Sequence, residues 1–224
     1  MHKVIIAGAN GKMGKIVAAA IDNHKDFMIT DTVIRGEDLS SKLAQNKPDI
    51  LIDVTLPEFA FEHAKLALMH GVKPIIGTSG INKGMVQELS KINNNTGGII
   101  APNFSLSAIL MLKFAEIAAP YFQHAEIIEQ HHLAKIDAPS GTAINTAEII
   151  NTNRIHSIRR PGVIAKQTVL FANANETLEI TQESINRDSF TSGIQFACEQ
   201  VLKQTSIIYG LQNLITSKAK ESVL

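Results

Sequence analysis

The stretch VIIAGANGKMG, residues 4–14, decides how the chain is built: an apolar run breaks at Gly8, and glycine returns at Gly11 and Gly14. A short apolar run bounded by glycine reads as a buried strand, and residues 12–23 repeat apolar side chains at helical spacing. A second strand over residues 27–34 completes a β-α-β unit. Glycines at such a loop allow the turn and let backbone approach a diphosphate, whose charge meets the free amides and the dipole at the helix start. The spacing is G-x-x-G-x-x-G, with Asn10 where the usual dinucleotide fingerprint has its second glycine. The loop therefore reads in two ways, as a nucleotide cradle or as a strand-to-helix turn with glycines at steric pinch points. Lys12 is a phosphate contact in the first reading and a solvated lysine in the second.

The end of the second strand bears on which nucleotide would fit. An acid there holds the adenosine ribose of NADH, whereas a basic residue accommodates the 2′-phosphate of NADPH. Here the strand ends Val33-Ile34-Arg35-Gly36, with Glu37 and Asp38 only later. Arg35 favours NADPH over NADH; a solvated loop arginine is the plainer alternative.

Strands over residues 50–54, 74–76 and 98–101 alternate with helical segments such as 58–70, where Phe61, Ala64 and Leu68 share a face. That alternation predicts an α/β, Rossmann-type doubly wound parallel sheet. After Pro102 the pattern changes. A helix over 105–119 is followed by strands over 125–129, 154–158, 168–172 and 177–181 with one helix, 142–151, among them, which predicts an α+β domain with a mixed sheet. A last helix over 190–203 fits either domain.

Lysine plus arginine equal aspartate plus glutamate at 21 each, so no global field favours nucleic acid or an anionic membrane. Cys198 is the only cysteine, and no apolar run reaches the roughly 18 to 20 residues of a membrane span. The expectation is a cytoplasmic protein with a small-molecule ligand, no nucleic-acid partner and no membrane partner.

The second informative stretch is EQHHLAKIDAPSGTA, residues 129–143. His131 and His132 fall at or just past a strand end, and Lys135 follows at once. Histidine can exchange a proton near neutral pH, and lysine supplies a positive charge or a second proton. Neighbours on extended backbone face opposite ways, so the two histidines should divide their roles. Ser140 or Gly141 then caps the next helix, and the amides of Gly141 and Thr142 with the threonine hydroxyl form an anion site suited to a carboxylate. Solvated histidines, a surface lysine and a simple helix cap remain the structural alternative. No further ligands stand at a zinc spacing, so no metal is expected.

Taken together these segments resemble the bacterial 4-hydroxy-tetrahydrodipicolinate (dihydrodipicolinate) reductase family. The resemblance covers nearly the whole chain: the loop at residues 8–14, Asp53-Val54-Thr55 with Pro57, Gly77-Thr78-Ser79-Gly80, Ala101-Pro102-Asn103-Phe104-Ser105, the His-His-x-x-Lys run through Ser140-Gly141-Thr142, His156-Ser157-Ile158-Arg159, and Phe190 with Gly193. It implies a homotetrameric enzyme of lysine and diaminopimelate biosynthesis that reduces a cyclic imine dicarboxylate with NADPH or NADH and loss of water. It also implies a dinucleotide-binding domain over residues 1–103, a substrate-binding and oligomerisation domain over 104–188, and a segment over 189–224 that returns to the first domain.

By the same resemblance His131 is the proton donor or acceptor and Lys135 a second proton donor that also meets substrate. His132, Gly141 and Thr142 bind carboxylate. The cofactor lies along Gly8, Ala9, Asn10, Gly11, Lys12 and Met13, with Arg35 at its adenosine end and Gly77, Thr78, Ser79, Ala101, Pro102, Asn103 and Phe104 beside the nicotinamide. The chain departs from the family in two places. Ile34 replaces the acid many members carry beside the arginine, and residues 160–167, RPGVIAKQ, lack a glycine-rich pattern ending in Gly-Glu-His. The residues alone also admit another NAD(P)-dependent reductase of a small carboxylate, or a nucleotide-binding sensor without turnover.

Overall fold

The opening apolar run is β1 (His2–Ala7), and Val4, Ile5, Ile6 and Ala7 are completely buried because the strand lies inside a sheet covered on both faces. In this computed structural model, which describes residues 1–92 and 95–215, the loop after β1 leads into α1 (Lys12–Asp22) and then β2 (Phe27–Val33). The series continues through α2 (Leu39–Asn46), β3 (Ile50–Asp53), α3 (Pro57–Met69), β4 (Lys73–Ile76), α4 (Lys83–Ser90) and β5 (Gly98–Ile100). After β5 the chain enters a second unit, Ser105–Ser189. There α5 (Leu106–Ala118) precedes β6 (His124–His131), α6 (Gly141–Ile149), β7 (Ile155–Arg159), β8 (Ala165–Ala172) and β9 (Thr177–Ser184). Finally α7 (Thr191–Val201) and β10 (Ile207–Tyr209) rejoin the first unit, which comprises Met1–Phe104 and the described residues from Phe190 on.

The first sheet is parallel, in the order β10-β5-β4-β3-β1-β2. Strand order runs one way from β1 to β2 and the other way from β1 through β3, so the loops leaving β1 and β3 diverge. Such a switch point opens a crevice at the carboxyl ends of the strands. The last helix belongs to this unit: Gln195 Nε2 donates to the Ala20 carbonyl at 3.0 Å, and His24 meets Glu199 at 3.3 Å. Within the 189–224 segment, residues 216–224 lie outside the described residues.

The second sheet is mixed, in the order β7-β6-β8-β9. β6 and β7 are parallel and joined through α6, while β8 and β9 add antiparallel neighbours. Along β8 Gln167, Val169 and Phe171 point inward at period two, and the core packs Val169, Phe171 and Ile127 against Met111 and Ala115 of α5 and Ala143 and Ala147 of α6. Full burial of a side chain such as Val169 or Phe171 is worth about 1.5–3 kcal/mol.

Several elements depart from the sequence reading. β6 runs to His131 instead of stopping near Glu129, because its partners β7 and β8 continue that far: His131 is in register with Arg159 and Ala165. β8 begins at Ala165, ahead of the apolar residues that suggested it, since buried Gln167 satisfies its amide on Thr146 Oγ1 at 2.8 Å. Helices α2 and α4 and strand β10 have no counterpart among the expected elements.

Candidate active site

In the second unit, topology gathers the candidate residues. A β-α-β crossover brings the carboxyl ends of β6 and β7 and the amino end of α6 to one edge of the sheet. His131 closes β6, Arg159 closes β7, and Ser140-Gly141-Thr142 opens α6.

Glu129 and His131 are two residues apart on one strand, hence on one face. Glu129 is completely buried, and its Oε2 lies 2.5 Å from His131 Nδ1. Arg159 Nη1 lies 2.9 Å from Glu129 Oε1, an ion pair at close range although off line for a hydrogen bond, since that buried oxygen takes none. Burial works to raise the Glu129 carboxyl, but the Ser157 hydroxyl, Arg159 and His131 outweigh it and hold the group below the ordinary carboxylate range. An ionised carboxylate only accepts, so the proton on the ring sits at Nδ1 and Nε2 is the atom left to titrate. Burial pushes His131 below its ordinary value; Glu129 pulls it back up, while Lys135 and Arg159 oppose that pull.

Arg159 also fixes the loop that follows. Its Nε donates to the Lys135 carbonyl at 3.3 Å and its Nη2 to the Asp137 carbonyl at 2.6 Å. The Lys135 ammonium reaches both oxygens of Asp137 at 2.8 Å, and this contact, ahead of burial, sets the Asp137 carboxyl below its usual range. One guanidinium thus ties together the partner of His131 and the two residues that carry and hold the lysine.

At the start of α6 the Ser140 hydroxyl accepts from the Ala143 amide at 3.2 Å. That leaves the amides of Gly141 and Thr142, the first two positions of the helix, without an intrahelical or capping partner. Gly141 is exposed, and a Cβ built on it meets nothing within 4 Å. The Thr142 carbonyl accepts from Thr146 Oγ1 at 2.8 Å, and Thr146 in turn is held by Gln167. A larger cavity of the unit, about 800 Å³, lies among Gln123, His124 and Ala125 and the end of α6 at Ile149 to Asn153. It contains none of the expected residues, and a helix C-terminus presents carbonyls, the wrong sign for a carboxylate.

In the first unit a cleft of about 710 Å³ opens at the switch point, lined by Gly8, Asn10 and Gly11, by residues 33–38 and 54–56, and by Phe59 and His63. Gly8 has φ 87°, and a Cβ there would meet the Val54 carbonyl oxygen at 2.9 Å; a Cβ on Gly14 would sit 2.1 Å from the Gly8 oxygen. The cradle is therefore closed to side chains at both places. Gly11 caps α1 without a side chain, so the first-turn amides face the loop unblocked. Arg35 lines the cleft and makes no ion pair among the described residues. Asp53, completely buried, accepts from Thr55 Oγ1 at 2.9 Å and Thr78 Oγ1 at 2.8 Å and meets His63 Nδ1 at 2.5 Å, so two of its partners, Thr55 and His63, line the cleft. Cleft size, open amides and a free guanidinium fit a dinucleotide.

Of the expected cofactor residues, the cleft brings together Gly8, Asn10, Gly11 and Arg35. Residues 77–79 and 101–104 follow the neighbouring strands β4 and β5, where a Cβ on Gly77 would lie 2.4 Å from the Phe104 ring. The Thr78 hydroxyl is committed to Asp53 and can offer a ligand only its backbone. Sequence reading assigned no role to Glu129 or Arg159. The first was recoverable from strand alternation with His131. The second depends on the β6–β7 register, which local sequence does not carry.

Family models described as dihydrodipicolinate reductase, N-terminus and C-terminus, match residues 2–104 and 107–215. The chain is 41% identical over 240 residues to the 4-hydroxy-tetrahydrodipicolinate reductase of Legionella pneumophila (strain Corby), covering 95% of this chain and 99% of that one. Against the enzyme of the same name from Bacillus subtilis (strain 168) identity is 39% over 260 residues, covering 95% and 97%. A dipicolinate-bound dihydrodipicolinate reductase from Paenisporosarcina sp. TG-14 superposes with a TM-score of 0.88 at 33% identity, over 96% of this chain and all of that one.

Proposed function

The chain belongs to the dihydrodipicolinate reductase family, and on that premise we propose how its own residues carry out the family's reduction. It is an NAD(P)H-dependent oxidoreductase that converts 4-hydroxy-tetrahydrodipicolinate to tetrahydrodipicolinate with loss of water, a step of diaminopimelate and lysine biosynthesis. The observation that carries the mechanism is the His131–Glu129–Arg159 arrangement at the same end of the sheet as a helix start whose first two amides are open.

Residues 8–13 would hold the cofactor, with Arg35 at its adenosine end and residues 77–79 and 101–104 at its nicotinamide end, and when bound it would supply the hydride. The amides of Gly141 and Thr142, the Thr142 hydroxyl and His132 grip the substrate carboxylates, with Lys135 adding charge. His131 Nε2 delivers the proton to the ring carbon next to the one that gains hydride, and Lys135 is the second proton source. Glu129 fixes the ring orientation and favours the protonated imidazole between turnovers. Before the reduction the hydroxyl group leaves as water together with a proton from the neighbouring ring carbon, and this opens the double bond that the hydride and the His131 proton then saturate.

NADPH is the preferred cofactor in this proposal, supported by Arg35 and by the absence of an acid at Ile34. The enzyme is a cytoplasmic homotetramer. Family likeness supports the oligomer, as do the exposed apolar side chains Phe114, Ile117, Tyr121 and Leu178 of the second unit. Initial rates with freshly generated substrate should be higher with NADPH than with NADH; equal rates would mean that Arg35 does not select the cofactor.

A further inference from the structure

Three carboxylates stand at the end of β2 and the start of α2, where a ribose-binding acid would be expected, and each is already engaged. Asp31 takes the Thr32 amide at 2.7 Å, Asn46 Nδ2 at 3.1 Å and Lys42 Nζ at 3.2 Å. Asp38 caps α2, accepting from the Ser40 amide at 3.0 Å and the Ser41 amide at 3.3 Å. Glu37, which lines the cleft, accepts through the same oxygen from the Ile34 amide at 2.8 Å and from Lys42 Nζ at 2.9 Å. Lys42 is further anchored on the Thr32 carbonyl.

We propose that Lys42 is a specificity-determining positioning residue: its bridge to Asp31 and Glu37 turns Glu37 away from the adenosine ribose and leaves the Arg35 charge uncompensated for a 2′-phosphate. This deepens the NADPH reading given above and rests on it. A carboxylate free to swing into the cleft would accept from the ribose 2′-hydroxyl of NADH and repel the phosphate of NADPH. The Ile34 amide and then Lys42 keep the Glu37 carboxyl below its usual range, so at neutral pH it stays a charged group whose position decides its effect.

Titration calorimetry of the full chain with NADPH and with NADH, without substrate, tests this by dissociation constants alone. Lys42→Met should shift the NADPH-to-NADH affinity ratio about tenfold toward NADH, Lys42→Arg should keep the wild-type ratio, and adding Glu37→Gln to Lys42→Met should restore it. An unshifted ratio in Lys42→Met, or no restoration in the double variant, overturns the proposal. If Lys42→Met does not fold, Glu37→Gln alone decides: the wild-type ratio is expected, and a tenfold loss confined to NADH would mean that Glu37 already reads the ribose, which overturns it. The two readings can fail separately. A wild type that prefers NADH, with a further tenfold shift in Lys42→Met, keeps the lock and rejects the NADPH preference; a wild type that prefers NADPH with no shift rejects the lock alone.

Discussion

Glu129 does for His131 what a lone histidine at a strand end cannot do for itself. The carboxylate holds the proton on Nδ1 and raises the affinity of Nε2 for a second one, while burial lowers it, and burial wins. Glu129→Gln keeps an acceptor for Nδ1 and removes the charge, so burial is left unopposed. Burial already holds the His131 ionisation below the ordinary imidazole range; in the pH–rate profile of the variant it should move lower still, and turnover should fall by about 10- to 100-fold. An ionisation that stays in place or moves upward would show that Glu129 is only packed there. The run from Glu129 to Thr142 already displayed both histidines, the lysine and the helix cap. It hid Arg159, because a residue some thirty positions away becomes a neighbour only through the pairing of two strands.

Among the elements, α6 carries the proposed carboxylate site. Ser140 satisfies one of its leading amides and leaves two open, and Thr146 with Gln167 holds the turn from behind. Gly141 separates packing from binding: a Cβ added there touches no protein atom, so Gly141→Ala should fold with unchanged or slightly higher stability. Its substrate KM should nonetheless rise about tenfold, because the added methyl would stand in the way of the proposed carboxylate contact with the amides. Unchanged KM and melting temperature would place the substrate elsewhere. The helix itself was legible from its Ser-Gly-Thr start. By comparison α2 carries only Leu39 and Leu43 as buried residues in eight, and β10 has three residues, too few for any period to emerge.

Over the whole molecule, each described unit carries its own candidate site: the switch-point cleft in the first, and His131 with Glu129 in the second. The change from strand-helix alternation to clustered strands made the two units legible, since hydrophobic periodicity reports local structure directly. The return of α7 to the first unit was open on the residues alone. Its buried stripe of Ile194, Ala197, Cys198 and Val201 would suit either core, and only partners such as Ala20 for Gln195 decide the matter. The most direct test of the account is substrate-dependent oxidation of NADPH by wild type and by His131→Gln, with cofactor affinity measured alongside. A clear wild-type rate that drops about 10²- to 10⁴-fold in the variant, at unchanged cofactor affinity, is the predicted result. A wild type without a substrate-dependent rate, or a variant as fast as wild type, would contradict it.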